Sequence, residues 1–414
     1  MPADRHSEYS DPFYAPLREP TFALIWTAIV VSLTATWMHE VGSAWFMREL
    51  SAGDPFMVSL VQAAMFLPIM LLSVPMGTLG DMRDRRRFLL FAHVWLTLIL
   101  GLLWVFTVRD AMTPDLLIGL TIALGIGKAM TLPGFAALIP SLVSARNLPL
   151  GVGLYGMAHN GARVVGPALA GLMLAAVGVA ATFGASWLMM VVALSLLLAW
   201  RRTPAPAQAD HLGFAAELRA GLRFGVRDPG YRLVVSRVIV FFLCAASLHA
   251  LLPVLVDNAA VFGLAWGLYG AGALAGAALF PMFARRLNPG QQLSAGILAH
   301  AVILAGVALL DTVALRLALL LLLGVAWFQV MSSAQLAVQR VLPERLRARG
   351  MGLFTSVVMA GFGLGAPVWG LLARWTTPEL GVLSAAALSA AALGFTHRYG
   401  MPLQPAEVTA ASND

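Results

Sequence analysis

The chain alternates long apolar runs with short polar segments, and each run is long enough to cross a bilayer. A spanning helix needs about 20 mostly apolar residues, because the hydrocarbon core is about 30 Å thick. Six such runs lie in each half of the chain, so the pattern predicts twelve spanning helices. The predicted spans start near Phe22, Phe56, Phe88, Leu116, Gly151, Val179, Leu233, Phe262, Leu293, Leu315, Gly350 and Leu380.

One of these runs occurs twice. Residues 153–171 read GLYGMAHNGARVVGPALAG, and residues 352–370 read GLFTSVVMAGFGLGAPVWG. A shift of 199 positions places Gly153 on Gly352, Gly166 on Gly365 and Gly171 on Gly370. A repeat at half the chain length predicts two copies of one membrane unit. A transported solute binds between such halves in many polytopic proteins.

The composition excludes a soluble enzyme. Hydrophobic residues make up 59% of the chain and charged residues 11%, with a mean hydropathy of +0.82. Soluble domains are nearer half apolar and a quarter charged. The sequence has no phosphate-binding GxxxxGK[ST] motif and no cluster with metal-ligand spacing, so we expect no cofactor, no metal and a proton gradient as the energy source. The single cysteine, Cys244, excludes an intrachain disulfide.

The arginines are distributed unevenly between the two sides of the predicted bundle. The side that would hold both termini carries 20 of the 26 arginines, and the other side carries Arg48, Arg109, Arg316 and Arg374. The positive-inside rule therefore predicts cytoplasmic termini for a multi-pass protein of the bacterial inner membrane. The net charge of +7 lies in loops between spans, so it does not indicate nucleic-acid binding.

The spans and loops define five predicted segments in a protein that we expect to be a monomer. The segment 201–232 opens with a Pro/Ala-rich stretch and continues as an amphipathic pattern, which predicts a helix on the inner membrane surface. The predicted organisation is a cytoplasmic N-terminal segment (1–20), an N-terminal six-helix bundle (21–200), a cytoplasmic linker (201–232), a C-terminal six-helix bundle (233–398) and a cytoplasmic tail (399–414).

The loop between spans two and three reads GTLGDMRDRRRF and resembles the signature loop of the major facilitator superfamily of secondary transporters. The matching positions are Gly77, Gly80, Asp81, Arg85 and Arg86. The resemblance implies an all-α membrane fold of twelve helices in two pseudo-symmetric six-helix bundles, working by alternating access. It also implies a conformational latch, in which Asp81 faces the start of helix eleven. Asp84 replaces the usual glycine, and aspartate tolerates left-handed backbone.

The segment 153–171 resembles the antiporter motif in the fifth helix of this superfamily. Gly153, Gly166, Pro167 and Gly171 match, whereas two alanines replace glycines of the pattern. Small residues let helices approach closely, and the resemblance implies a preference for export. The stretches TWMHEVGSAWFM, DRRRFLL and NGARVVGPALAG resemble the secretion and enterobactin-exporter-like branch in particular.

Basic groups inside the spans are rare and costly, at about 2.5–3.5 kcal/mol each at the bilayer centre. Arg163 lies near the middle of span five, and Asn160 precedes it by three residues on the same helix face. Lys128, the only lysine, lies about as deep in span four. We predict that these three side chains face a polar cavity and serve substrate binding or coupling. The alternative for Arg163 is a structural ion pair between helices.

Glu40 is the only acidic residue well within a span, in the outer part of helix one. A carboxyl group there can carry a proton, and Lys128 or Arg163 nearby would link protonation to cation contact. The alternative is a hydrated acid at the outer interface, with Asp81 and Asp257 as replacement proton carriers. Two further groups are weaker candidates: the histidines His159, His249 and His300 for titration, and Trp37, Trp266, Trp327 and Trp369 for an aromatic cavity lining.

These observations predict a secondary transporter that exports a small organic solute, such as a siderophore-like metabolite or drug, by proton antiport. Two cations against one acid in the N-terminal half favour an anionic or neutral polar solute over a lipophilic cation. The alternatives are an importer or a lipid-flipping transporter on the same fold and, from another class, a membrane sensor or enzyme without transport activity.

Overall fold

The chain folds into long helices without strands in the part that the computed structural model describes, residues 12–82, 84–144, 146–200, 228–342 and 347–397. A short 3-10 turn (Ala15–Arg18) precedes the first helix. The helices before the linker are α1 (Pro20–Leu50), α2 (Pro55–Met82), α3 (Arg85–Val108), α4 (Pro114–Leu142) and the helical range Leu148–Ala199. Those after it are α7 (Pro229–Leu255), α8 (Ala259–Ala284), α9 (Pro289–Leu309), α10 (Val313–Val341), α11 (Arg347–Trp375) and α12 (Pro378–His397).

The range Leu148–Ala199 contains two spans. Its 52 residues would extend far beyond a bilayer as one straight helix. The backbone is non-helical at Gly178, with φ 80° and ψ −178°, a conformation that glycine adopts without a steric penalty. The chain reverses there, because both ends of the range lie at the end of the bundle where α3 begins and α4 ends. Gly151, near the first end, packs against Val143, which follows α4. The carbonyl of Trp200, just after the last residue, accepts a hydrogen bond from Arg86 at the start of α3. We label residues 148–177 α5 and residues 179–199 α6.

The structure confirms the predicted fold class, with eleven described helices that are long and apolar enough to cross a membrane and one of them holding two spans. Most helices begin a few residues before the predicted start, because proline and capping residues precede the first apolar position. The start of α7 is one example. Asp228 accepts a hydrogen bond from the Tyr231 N–H at 2.6 Å, and Pro229 opens the helix. The predicted linker therefore extends too far, since residues 229–232 are helical. The remainder of that linker, 201–227, lies outside the described residues.

The repeat found in the sequence is also a repeat of packing. A Cβ on Gly166 would press on Trp37 of α1, and one on Gly365 would press on Leu243 of α7. Both glycines thus seat the fifth helix of a half against the first helix of the same half. One turn further, Gly171 meets Gly263 of α8 and Gly370 meets Ser59 of α2, so both contacts cross between the halves. The third pair, Gly153 and Gly352, faces nearly open space. The 199-residue shift therefore reflects a pseudo-two-fold relation.

The bundle has two chemically different ends. The end at which α1 begins is called here the basic end. It carries most of the described arginines that lie near helix ends or in loops. The other end, called here the opposite end, carries Glu49, Asp54, Asp110, Asp115, Asp257, Asp311 and Glu379. The halves are tied together at the opposite end. The Arg374 Nε lies 3.7 Å from the Asp54 carboxylate, and the rings of Trp45 and Phe262 lie 5.3 Å apart. In this conformation the two halves are in contact at the opposite end.

Candidate functional site

An ion pair between two helices lies at the centre of the N-terminal half. The Lys128 Nζ of α4 is 3.8 Å from the Glu40 Oε2 of α1, and both side chains are almost entirely buried, at 10% and 12% exposure. Lys128 also lies over the Trp37 ring, at 5.4 Å from its centroid. The structure thus brings together two of the predicted site residues, and it excludes a hydrated interfacial position for Glu40.

Arg163 of α5 lies beside this pair and reaches the other half. Its guanidinium carbon is 5.0 Å from the Trp37 ring of α1 and 4.6 Å from the Trp327 ring of α10. A guanidinium between two indole rings is held by cation–π attraction, which strengthens when water is excluded. Arg163 therefore connects the two halves in addition to carrying a positive charge. Its Nε is buried and has no hydrogen-bond partner among the described residues.

The C-terminal half contributes an aromatic wall. His249 of α7 packs edge-on against Trp266 at 4.8 Å, Tyr269 at 5.8 Å and Phe362 at 4.9 Å. Tyr269 lies 6.3 Å from Trp327, which continues the wall to Arg163. Within the described part of the chain, three buried donors of this wall have no acceptor: Trp266 Nε1, Trp327 Nε1 and Tyr269 OH. Buried polar groups are normally hydrogen-bonded, so this wall is suited to a ligand that offers acceptors.

A small cavity lies between the halves, beside Glu40. Its lining includes Glu40, Gln62, Pro167, His249 and Trp266, together with Trp37 and four small or aliphatic side chains. The space is about 20 Å³, roughly the room that one buried water molecule occupies. In this conformation the cavity is thus too small for an organic solute.

Asn160 does not join this cluster. It is exposed, and its amide donates a hydrogen bond at 3.0 Å to the Gly156 carbonyl of its own helix. Its three-residue spacing from Arg163 places both on one face of α5, but Asn160 lies nearly one turn closer to the basic end. The prediction that Asn160 faces the same cavity as Arg163 and Lys128 is not supported by this placement.

The antiporter motif contributes packing and one cavity residue. Gly166 and Gly171 allow the two close helix contacts described above, and Pro167 lines the small cavity. Gly153 lies near the basic end, where an added Cβ would reach Phe13 only at 4.0 Å. The motif therefore places α5 between α1 of its own half and α8 of the other half.

Only part of the signature loop can be compared with the predicted latch. Gly77, Gly80 and Asp81 lie in the last turns of α2, but their side chains, and those of residues 343–349, are outside the described part of the chain. The contact of Asp81 with helix eleven therefore stays a prediction, and so does the role of Arg85. Arg86 has a different partner, because its guanidinium donates to the carbonyls of Trp200 at 2.8 Å and Leu198 at 3.1 Å. It caps the end of α6.

Asp84 does not adopt the left-handed backbone expected of a glycine substitute. Its φ of −62° and ψ of 110° are extended, and its carboxylate accepts hydrogen bonds from the backbone N–H groups of Arg86 and Arg87. Aspartate here serves as the N-cap of α3, because a carboxylate satisfies the free N–H groups of a first turn. The expectation of left-handed backbone at Asp84 is therefore wrong.

The sequence pointed to some lining residues and missed others. Trp37, Trp266 and Trp327 lie at the site, whereas Trp369 donates its indole N–H to the Leu243 carbonyl at 2.7 Å and serves packing between α11 and α7. Gln62 and Tyr269 were not predicted. A lone glutamine in an apolar span was the available signal for Gln62.

Within the described residues, no group of three His, Cys, Asp or Glu side chains is placed to hold a metal ion.

Comparison with known sequences agrees with this architecture. The family described as transmembrane secretion effector matches residues 11–414. The enterobactin exporter EntS of Salmonella choleraesuis (strain SC-B67) is 26% identical over 332 residues, which cover 78% of this chain and 77% of that protein. The protein of the same name from Escherichia coli O1:K1 / APEC is 27% identical over the same shares.

Solved structures with a similar fold are all transporters in the cases compared. A bacterial homologue of the human lysosomal transporter Spinster, in an inward-facing and occupied conformation, has a TM-score of 0.75 at 12% identity and covers 95% of this chain and 99% of its own. A mutant of the nucleoside transporter NupG has a TM-score of 0.72 at 14% identity, with 92% and 99% covered.

The family match spans nearly the whole chain, and the fold, the helical membrane architecture and the named relatives are those of secondary transporters rather than enzymes. This chain belongs to the transmembrane secretion effector family of the major facilitator superfamily.

Proposed function

We propose that this transporter exports a small organic solute, a siderophore-like metabolite or drug, across the bacterial inner membrane in exchange for protons. Both termini would be cytoplasmic, as the arginine distribution favours. The observation that carries the proposal is the buried pair Glu40–Lys128 next to Arg163, which itself contacts Trp327 of the other half. One acid and two cations beside a contact between the halves would respond to the opening and closing of alternating access.

The charges indicate which solutes the site accepts. With Glu40 ionised, the cluster carries one net positive charge, from Lys128 and Arg163 against one carboxylate. The donors of Trp266, Trp327 and Tyr269, for which the described part of the chain provides no acceptor, add a surface that offers hydrogen bonds. A polar solute with acceptor oxygens, neutral or anionic, and with an aromatic or flat part to stack on the indoles therefore fits better than a lipophilic cation.

Antiport requires that a proton and the solute exclude each other. A solute hydroxyl that donates to Glu40 binds more tightly while the carboxylate is ionised, because a charged acceptor makes the stronger hydrogen bond, so the solute and a proton oppose each other. A simple anion would behave differently, since a proton on Glu40 would leave both cations free to attract it. Proton exchange through Glu40 thus favours a solute that has hydroxyl donors as well as acceptors.

The experiment uses everted membrane vesicles whose lumen is acidified by respiration and followed with an acridine dye. Hydroxylated neutral, anionic and cationic compounds are added separately, with Glu40→Gln vesicles beside the parent. The proposal expects a hydroxylated compound to release the proton gradient in the parent and not in Glu40→Gln. Release that persists unchanged in Glu40→Gln would overturn the role of Glu40, and release by lipophilic cations alone would overturn the solute class.

A further inference from the structure

The small cavity beside Glu40 joins one titratable side chain from each half. Among its lining residues only Glu40 of α1 and His249 of α7 can titrate. It extends from the level of Trp37 towards the opposite end, because its lining also includes Ala44 in the last turns of α1 and Val58 in the first turn of α2. Directly after Ala44, Trp45 contacts Phe262 of the other half, with the two ring centroids 5.3 Å apart.

The cavity is lined by polar atoms that need a partner. Gln62 Oε1, a buried acceptor, and Trp266 Nε1, a buried donor, have no hydrogen-bond partner among the described residues. Glu40 Oε2 likewise accepts no hydrogen bond there and has only the ion pair with Lys128 at 3.8 Å. Gln62 is only 6% exposed. A buried water binds where two to four polar partners surround room for one molecule. The cavity has the volume for one molecule, and its lining residues include the side chains that carry these polar atoms.

The orientation of His249 suits proton exchange with such a water. Its Nδ1 lies 3.3 Å from the Ala245 carbonyl of its own helix, which favours the tautomer with the proton on Nδ1. The other ring nitrogen, Nε2, is then the acceptor. An imidazole can bind a proton at one ring nitrogen and release one from the other, so it is suited to pass a proton on.

We propose that His249, a water molecule held by Gln62 and Trp266, and Glu40 form a proton relay that leads from the opposite end to the transport site. The imidazole takes up a proton and becomes imidazolium. It then passes a proton through the water to the Glu40 carboxylate, which becomes a carboxylic acid and leaves the imidazole neutral. The relay rests on the proposed proton exchange through Glu40 and adds the route by which the proton arrives.

Other charged and titratable groups near His249 are accounted for in the described part of the chain. Arg163 of α5 lies within electrostatic range, as does His300 of α9. Tyr269 of α8 lies against its ring. The helices α2 and α11 contribute Gln62 and Phe362, which do not titrate. Glu40 is thus the acid that shares a cavity with His249.

The relay is tested by infrared spectroscopy of the purified full-length protein, without any solute. The carboxyl band of Glu40, assigned by its loss in Glu40→Gln, is titrated between about pH 4 and pH 9. Two coupled groups titrate in two macroscopic steps. We expect two steps in the parent and a single step in His249→Phe and in His249→Gln, where the second variant keeps a polar side chain. Gln62→Leu is expected to merge the steps as well, because it removes the anchor of the water.

His93→Phe is the matched control, since His93 is a buried histidine that binds Ser32 within the N-terminal half, away from the cavity. The His93→Phe variant should keep both titration steps of the Glu40 carboxyl band. A single step in the parent, two steps that survive in His249→Gln, or a Glu40 band that does not titrate would each overturn the relay. Proton release in vesicles that still depends on Glu40 would then leave the proposed function standing, so the two failures are distinguishable.

Discussion

Glu40 and Lys128 form an ion pair 3.8 Å apart between α1 and α4, although 88 residues separate them along the chain. Neither charge is tolerable alone at this depth, because an isolated buried ion has no water to stabilise it. The pair therefore explains how both residues can be present, and it makes any event that neutralises Glu40 also change what Lys128 can bind.

Removing Lys128 is expected to destabilise the protein more than removing both partners. Lys128→Gln leaves an unpaired buried carboxylate and should cost about 3–5 kcal/mol. The double variant Glu40→Gln with Lys128→Gln replaces the pair by neutral amides and should regain most of that loss. Thermal unfolding in detergent, followed by tryptophan fluorescence, measures the order of the melting temperatures. Strictly additive losses would show that the two side chains do not interact.

The contribution of Arg163 to solute binding should depend on the planar shape of its guanidinium group and not only on its charge. Arg163→Lys keeps the charge but loses the planar stacking on Trp37 and Trp327, which is worth about 1–2 kcal/mol. We expect the apparent affinity for a solute identified in the vesicle assay to fall about 5–30-fold. Arg48→Lys is the control, because Arg48 lies 4.7 Å from the Trp45 ring outside the site. Equal effects of the two substitutions would contradict a binding role for Arg163.

The glycines of the antiporter motif should differ in their tolerance of alanine. In Gly171→Ala the new methyl group would overlap the backbone of Gly263, so α5 and α8 must separate. We expect a loss of about 1–3 kcal/mol, as for other overpacked sites. Gly153→Ala places its methyl group in nearly open space and should gain up to about 1 kcal/mol from helix propensity. Melting temperatures of the two variants test this, and a similar loss in both would refute the packing argument.

The ion pair between Asp54 and Arg374 should bias the transporter towards closure at the opposite end. The Arg374 side chain is 53% exposed, so the pair is worth at most about 1 kcal/mol. Asp54→Asn is expected to raise labelling of Val61→Cys, a cavity residue, by an impermeant thiol reagent up to about 5-fold. The native Cys244 is buried and should label little.

Two further variants make that result interpretable. Exchange of the charges in Asp54→Arg with Arg374→Asp should restore low labelling, because the attraction is re-formed. Arg316→Gln should leave labelling unchanged, since Arg316 pairs with Asp311 within the C-terminal half, 3.3 Å away. Increased labelling in Arg316→Gln equal to that in Asp54→Asn would mean that lost surface charge, and not the link between the halves, controls access.

The depth of a residue in the membrane was predictable, but its partners were not. Glu40, Lys128 and Arg163 stood out because charges within apolar runs are rare. Their pairing was not predictable, since it depends on how α1, α4 and α5 pack. Asn160 shows the same limit in reverse: helical spacing put it on the face of Arg163, yet its amide is satisfied inside α5.

His249 illustrates what only packing reveals. In the sequence it is one of several histidines in apolar surroundings, where a core role is the usual outcome. In the structure it shares a cavity with Glu40 and Gln62, which lie in helices of the other half. No local pattern along α7 encodes that meeting, because it arises from contact between the two six-helix bundles.

The sequence by itself determined the membrane class, the twelve spans, the two-fold repeat and the unequal charge of the two ends. Those properties follow from local composition, because a bilayer requires long apolar helices and a biased arginine distribution. The tertiary structure decided which charges pair, which glycines bring helices together, and where a cavity remains between the halves. These depend on distances between residues far apart in the chain, which close packing sets and linear patterns do not record.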